Sequence, residues 1–191
     1  MIASQWKKAF VRTVQHHDNI HLLREAAMDE QLSDWTAYLT HAVVSSCESL
    51  GWQAAAIGHE LDILPIPHSE YLKLDVMAFA PQSSNWRFPV AVFELENSQN
   101  EDRIAYSLWK VLCVMAEMRI VFCYRRLPEQ GPALVRMLNR EVIRALPIER
   151  RMNLLGETLV VVGSRNDSAT FPFGFFKWWR LDKNTGTFNV I

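Results

Sequence analysis

The sequence has few of the features that mark several specialised protein classes. Seven glycines and eight prolines are scattered through 191 residues without a repeat, which excludes a collagen-like or low-complexity chain. The cysteines are three, Cys47, Cys113 and Cys123, and their number and spacing fit neither a disulfide framework nor a paired zinc site. We therefore expect reduced thiols in the core.

The chain also lacks an excess of charge of one sign and has no long apolar run. Lys plus Arg number 20 and Asp plus Glu number 21, a net charge of −1, so any nucleic-acid binding must be local or assisted. No stretch approaches the roughly 18 apolar residues of a membrane span, and the first residues lack the apolar segment of a signal peptide. These absences predict a cytoplasmic protein without a membrane partner.

Apolar residues are plentiful enough for a core. They make up 49% of the chain, and charged residues make up 21%, which is close to the globular average. The length and the absence of a linker predict a single domain over residues 1–191. Within it we expect a core at about 33–125 and an extension of helix, strand and hairpin over 131–191.

Hydrophobic periodicity predicts mainly helices in the first part of the chain and strands after it. Residues 4–30 are typical of a helical preface interrupted near His17 and Asp18, and a stronger helix is expected from an N-cap at Ser33 to Gly51. Three extended stretches follow, which we expect to form an antiparallel meander. They cover 52–59, 71–80 and 88–96.

The second half of the sequence predicts alternating helices and strands. Asn100 is a suitable N-cap for a helix with one apolar stripe, formed by Ile104, Leu108, Val111, Leu112 and Met115. The expected elements after it are a buried strand at 119–124, a helix at 132–145, a strand at 157–163 and a hairpin around a polar turn at 182–186. The order αβββαβ, then αβ and a hairpin, predicts an α/β fold with a mixed central sheet flanked by helices.

Three carboxylates are expected to converge at one end of this sheet. Glu94 and Glu96 are two residues apart on one strand, so their side chains point to the same face. Asp75 lies among apolar residues of the preceding strand, and a hairpin connection would bring it beside Glu94. Like charges at a strand end are costly unless a cation neutralises them. Hard oxygen ligands favour Mg²⁺ or Mn²⁺ over zinc.

These residues and this element order resemble the PD-(D/E)xK superfamily of restriction-endonuclease-like nucleases. Asp75 is followed 19 positions later by Glu94 in an E-x-E pattern, and then by a helix that carries Lys110. The resemblance covers about residues 33–124, roughly half of the chain. Its most specific part is the run FELENSQNEDRIAYSLWKVL.

The resemblance implies a restriction-endonuclease-like core and a Mg²⁺-dependent (or Mn²⁺-dependent) nuclease, with DNA as the expected substrate and RNA as the alternative. Asp75, Glu94 and the carbonyl of Leu95 would hold the ion. Glu96 stands where the motif has Lys and would serve as a further ligand or as the base. Lys110 on the next helix would supply the missing positive charge. In some members of the superfamily the motif Lys has moved to that helix. Leu74 replaces the motif Pro.

The lost motif Lys favours a second hypothesis of another class. In it the chain is a catalytically silent member of the fold that serves as a binding or assembly subunit in a defence or mobile-element system. The resemblance also suggests a homodimer or a partner protein.

Other residues offer alternatives that the sequence leaves open. Glu48 is a candidate acid on the first core helix, Asp62 is a replacement for Asp75, and Gln99 lies near the start of the next helix. For the remaining candidates we favour exposed or core positions over binding. These are the pair His17 and His21, the arginine pairs Arg125–Arg126 and Arg150–Arg151, and the aromatic cluster of Phe171, Phe173, Phe175, Phe176, Trp178 and Trp179.

Overall fold

The computed structural model describes residues 1–28 and 31–191, and its central feature is a seven-stranded sheet whose strands are arranged in sequence order. The strands are β1 (Gln53–Ala56), β2 (Val76–Phe79), β3 (Ala91–Leu95), β4 (Met118–Arg125), β5 (Glu157–Ser164), β6 (Phe176–Asp182) and β7 (Thr187–Val190). The α-helices are α1 (Ile2–Gln15), α2 (His17–Met28), α3 (Leu32–Glu48), α4 (Glu101–Leu112), α5 (Gln130–Leu138) and α6 (Ile148–Met152).

The sheet is mixed, as the sequence predicts. Strands β1, β2 and β3 are antiparallel neighbours, β3, β4 and β5 are parallel, and β5, β6 and β7 are again antiparallel. Helix α4 connects β3 to β4, because parallel neighbours need a crossover. The α/β class, the antiparallel meander and the C-terminal hairpin are thus confirmed.

Helices cover both faces of the sheet. The first face packs against α1, α2 and α3, and the fully buried Trp6 lies 4.9 Å from Phe93 of β3, ring centre to ring centre. The second face packs against α4 and α5, where Val92 of β3 shares a core with Ile104 and Leu108 of α4. Since side chains alternate along a strand, Glu94 belongs to this second face.

Several element boundaries differ from the sequence prediction. The third helix begins at Leu32 with Gln31 as its N-cap, rather than at Ser33, and no side chain caps it. The extended stretch expected at 71–80 starts as a 3₁₀ turn, Tyr71–Lys73, because Leu72 and Lys73 adopt left-handed φ angles of 57° and 54° that a strand cannot contain.

Other differences lie nearer the chain ends. The break in the helical preface is at His16, and Glu30, its expected end, is outside the described residues. Met115 does not extend the apolar stripe, because α4 ends at Leu112 and Met115 is 53% exposed. The helix expected at 132–145 ends at Leu138 and continues as a π-helical turn, Asn139–Ile143.

The C-terminal aromatic cluster is mostly core. Phe171, Phe175, Phe176, Trp178 and Trp179 are buried, whereas Phe173 is exposed. Core packing therefore accounts for five of the six rings.

Among the helices of the described residues, none combines the length and the hydrophobicity that crossing a membrane requires.

The N-cap of α4, which orients the helix that bears Lys110, can be tested directly. The Asn100 side chain accepts a hydrogen bond of 3.1 Å from the backbone N–H of Arg103, as predicted. We expect Asn100→Ala to lower the free energy of unfolding by about 1 kcal/mol in urea denaturation followed by circular dichroism. Asn100→Asp keeps the acceptor and should retain wild-type stability. An unchanged Ala variant would contradict this role.

Candidate functional site

The register of β2 and β3 places Asp75 beside Glu94. Val76 lies opposite Phe93, so Asp75, one residue before β2, lies opposite Glu94. The Oδ2 atom of Asp75 accepts a hydrogen bond of 2.6 Å from the backbone N–H of Leu95. Asp75 and Glu94 are therefore neighbours, with Asp75 directly before β2 and Glu94 on β3.

Glu94 is almost completely buried and is paired with Lys110. It is 4% exposed, and its Oε1 atom lies 2.7 Å from Nζ of Lys110 on α4. Ser107, one turn earlier on the same helix, is also buried against the carboxylate and stabilises its charged form. The helix that follows the E-x-E strand thus lies over Glu94, with its cation directed at the acid.

A backbone carbonyl completes the environment of the Lys110 ammonium group. Nζ donates a hydrogen bond of 2.7 Å to the carbonyl oxygen of Lys73. Lys73 and Leu72 form the left-handed turn before β2, a conformation that is uncommon for residues other than glycine. This turn aims a carbonyl at the cation and starts β2 at the residue after Asp75.

Glu96 is near these groups but has a local partner of its own. Its backbone N–H donates to the carbonyl of Phe122 on β4, which extends the parallel ladder by one residue beyond β3. Its Oε1 atom accepts a hydrogen bond of 2.7 Å from the N–H of Ser98. The charge of Glu96 nevertheless acts on Asp75.

Burial and mutual repulsion disfavour the charged forms of these acids. Burial is the largest effect on Glu94 and raises its pKa to about 7, although Lys110 opposes the rise and Asp75 adds to it. Burial also raises the pKa of Asp75, while the Leu95 N–H and Lys110 oppose the rise. A fourth acid, Glu70, has its pKa raised by burial and by Asp75.

The cluster has more negative than positive groups, which fits a divalent cation. The charge of Lys110 acts on Glu70, Asp75 and Glu94, and Glu96 adds a further negative charge near Asp75. The backbone of Glu96 is hydrogen-bonded to β4, and successive residues of a strand direct their backbone groups to opposite sides. The N–H and C=O of Leu95 therefore point toward β2, where the N–H bonds Asp75. Carboxylates and a carbonyl are the donors that Mg²⁺ and Mn²⁺ prefer.

The side chains are not yet assembled as ligands in this structure. Within residues 1–28 and 31–191, no three His, Cys, Asp or Glu side chains are grouped closely enough to hold a metal ion. Asp75 is bonded to Leu95, Glu94 to Lys110 and Glu96 to Ser98. A divalent ion at Glu94 would have to displace Lys110.

The alternative candidates lie elsewhere or have structural roles. Glu48 is exposed on α3, which packs against the opposite face, and its charge acts on His59. Asp62 and Gln99 are exposed, and Asp62 is not needed in place of Asp75. The rings of His17 and His21 meet edge to face, with centres 4.8 Å apart, on exposed positions of α2.

The arginine pairs divide between structural and exposed positions. Arg125 is buried and lies 3.6 Å from Glu101, and Arg151 donates to the carbonyls of Lys183 and Asn184 in the hairpin turn. Their neighbours Arg126 and Arg150 are exposed.

Sequence reasoning missed Glu70, Ser107 and the carbonyl of Lys73. The position of Ser107, three residues before Lys110 on the helix, was a usable signal, because residues three apart share a helix face. Glu70 and Lys73 arrive through an irregular segment between β1 and β2, for which the sequence has no periodic signal.

A comparison of this chain with known protein families, with curated proteins and with solved structures found no match. Its function must therefore be argued from its own residues.

The raised pKa of Glu94 predicts a pH dependence of stability. The ordinary pKa is 4.5 and the folded value is about 7, so between these values the folded protein holds a proton that the unfolded chain has lost. The free energy of unfolding should therefore fall as the pH rises through this window, by up to about 3 kcal/mol, and then level off.

Urea denaturation of wild type and Glu94→Gln over this range measures the effect as the difference between the two curves. Lys110→Met should extend the window to higher pH, because the ammonium group opposes the rise in pKa. If the free energy of unfolding had the same pH dependence in wild type and in Glu94→Gln, the raised pKa of Glu94 would be contradicted.

Proposed function

We propose that the protein is a Mg²⁺-dependent or Mn²⁺-dependent nuclease with a restriction-endonuclease-like core, acting on phosphodiester bonds in DNA, with RNA as the alternative substrate. The observation that carries the proposal is the buried Glu94, paired with Lys110 and adjacent to Asp75 at the end of β3. A buried carboxylate with a raised pKa beside a charge partner is typical of functional sites.

The topology supports the same assignment. Helix α3 is followed by the antiparallel strands β1, β2 and β3, then by α4 and the parallel strand β4. This is the αβββαβ order of the resemblance. Asp75 directly precedes the second strand, Glu94 lies near the end of the third and Glu96 directly follows it.

The proposed roles follow from the contacts of each residue. Asp75, Glu94 and the carbonyl of Leu95 would hold the divalent ion, which would supply Lewis-acid chemistry at the phosphoryl oxygen and a more acidic water molecule. Glu96, held by the N–H of Ser98, would act as a further ligand or accept a proton. Lys110, released from Glu94, would stabilise negative charge on the phosphate.

The proposal is tested by metal binding and cleavage in the same samples. Calorimetric Mn²⁺ titration of wild type should show binding, and Asp75→Asn and Glu94→Gln should each weaken it by more than about tenfold. Both variants should lose metal-dependent cleavage of plasmid and single-stranded DNA. Asp62→Asn changes an exposed carboxyl group outside the cluster and is the control, with binding and cleavage unchanged. Wild-type cleavage that survives Glu94→Gln would contradict the proposal.

Lys110 has a distinguishable signature, because its ammonium group is not a metal ligand. We expect Lys110→Met to reduce cleavage by about 100-fold. Its affinity for Mn²⁺ should be equal to that of wild type or higher, since the cation that competes for Glu94 is gone. Lys110→Arg keeps the charge and should retain more activity than Lys110→Met. Loss of Mn²⁺ binding in Lys110→Met would contradict this role.

A specific observation favours the second candidate function, a catalytically silent binding or assembly subunit of a defence or mobile-element system. Glu94 is occupied by Lys110 and Glu96 by Ser98, so the acids already have partners without a metal. A silent subunit predicts no Mn²⁺ binding and no cleavage by the wild type. It would act with a protein partner, whereas the nuclease is compatible with a homodimer that cuts both strands.

A further inference from the structure

A groove of about 750 Å³ opens beside the candidate site, on the same face of the sheet. Met77 and Phe79 of β2 form part of its lining and are buried. The rest of its lining comes from residues 64–73, from residues 86–89 between β2 and β3, and from residues 113–115 after α4. The proposed roles in cleavage use none of the apolar residues that line this groove.

Large apolar side chains line the groove in exposed positions. Trp86 is 63% exposed, Phe88 is 70% exposed and Met115 is 53% exposed. The second core does not include them. Exposed apolar surface around a concavity indicates a binding site rather than core packing.

The groove is connected to the acid cluster. Glu70 and Lys73 are part of its lining, and the carbonyl of Lys73 accepts the hydrogen bond from Lys110. Strand β2 leads from Asp75 to Phe79, four residues or about 13 Å away. The aromatic end of the groove is thus displaced from the acids by a few nucleotides at most.

Two cations belong to the groove. Lys73 is exposed, and Arg87 lies between Trp86 and Phe88 in the chain. The Arg87 guanidinium is held in place, since Nη1 donates to Gln53 at 2.6 Å and Nε donates to the carbonyl of Ser84 at 3.2 Å. Positive charge interleaved with exposed aromatic rings suits a ligand with flat apolar faces and anionic links.

We propose that this groove binds unpaired bases of a single-stranded nucleic acid that flank the phosphodiester bond at the acid cluster. Trp86 and Phe88 supply the stacking faces, and Lys73 and Arg87 contact the phosphates. A duplex offers its phosphates and base edges but not its base faces, so apolar aromatic walls favour a strand whose bases are unstacked. This inference rests on the proposed nuclease function and names its substrate class.

Binding is measured without metal, so that cleavage plays no part. In EDTA, the fluorescence anisotropy of a labelled oligodeoxythymidine of about 12 nucleotides should report saturable binding to wild type and much weaker binding of a duplex of equal length. Trp86→Ala and Phe88→Ala should each weaken binding by about 10-fold to 100-fold. With two phosphate contacts, log K should fall with log salt with a slope of only about −1.4.

The chain offers a matched control for the stacking residues. Trp109 is 54% exposed on α4 and lines a neighbouring cavity that shares Cys113 with the groove, so Trp109→Ala removes an exposed tryptophan that is not part of the groove lining. It should bind the oligonucleotide as wild type does. Equal losses in Trp86→Ala and Trp109→Ala would overturn the proposal.

A second measurement uses the wild-type protein, so its result does not depend on the folding of a variant. Cys113 lies in the groove and is exposed, so the expectation of a core position is wrong for this thiol. Cys47 and Cys123 are buried as expected, with pKa values that burial raises to about 12. A maleimide should therefore react selectively with Cys113. The oligodeoxythymidine should slow this reaction and the duplex should not. An unchanged rate at saturating oligonucleotide would overturn the proposal.

The outcomes separate the groove from the nuclease. If wild type and Glu94→Gln both bind the oligonucleotide through the groove, and wild type does not cleave it in Mg²⁺ or Mn²⁺, the groove is supported and the proposed enzyme is rejected. Cleavage with unchanged binding in Trp86→Ala and Phe88→Ala supports the enzyme and rejects the groove. An apolar dye that binds the groove when no oligonucleotide does would assign it to an apolar ligand and overturn the proposal.

Discussion

The buried pairing of Glu94 with Lys110 is the interaction on which the rest of the site depends. A carboxylate taken out of water is costly, and one without its partner costs several kcal/mol more. Helix α4 must therefore lie so that Lys110 reaches Glu94, with Asn100 capping its start. The carbonyl of Lys73 shares the same ammonium group, which couples the turn before β2 to the helix.

The same pair links the two candidate functions. An ammonium group 2.7 Å from Glu94 stabilises the metal-free protein and occupies the best position for a cation beside the acid. If a divalent ion displaces it, Lys110 is left free to face the phosphate, and the site resembles that of a nuclease. If no ion displaces it, the pair is a structural element that joins α4 to β3. The two candidate functions are therefore separated by whether a divalent ion displaces Lys110.

Local sequence signals predict the strands, the helix and the acids, and tertiary packing decides the rest. The period of two and the hairpin indicated that Asp75 and Glu94 would be close. The apolar stripe predicted the helix but not the contact of Lys110 with Glu94, because Lys110 lies outside the stripe and only the packing of α4 on the sheet brings it to the acid. The hydrogen bond from Ser98 to Glu96 is a loop detail without periodicity. Leu72 and Lys73 adopt left-handed angles without a glycine to signal them, and the groove is built from segments distant in sequence.

The most direct measurement is the anomalous diffraction of manganese in a crystal of the full chain soaked in Mn²⁺. The account predicts a peak about 2.1 Å from carboxylate oxygens of Asp75 and Glu94. It also predicts that the Lys110 ammonium group has moved away from Glu94. A crystal in which saturating Mn²⁺ gives no peak there, with the pair of Glu94 and Lys110 intact, would contradict the account.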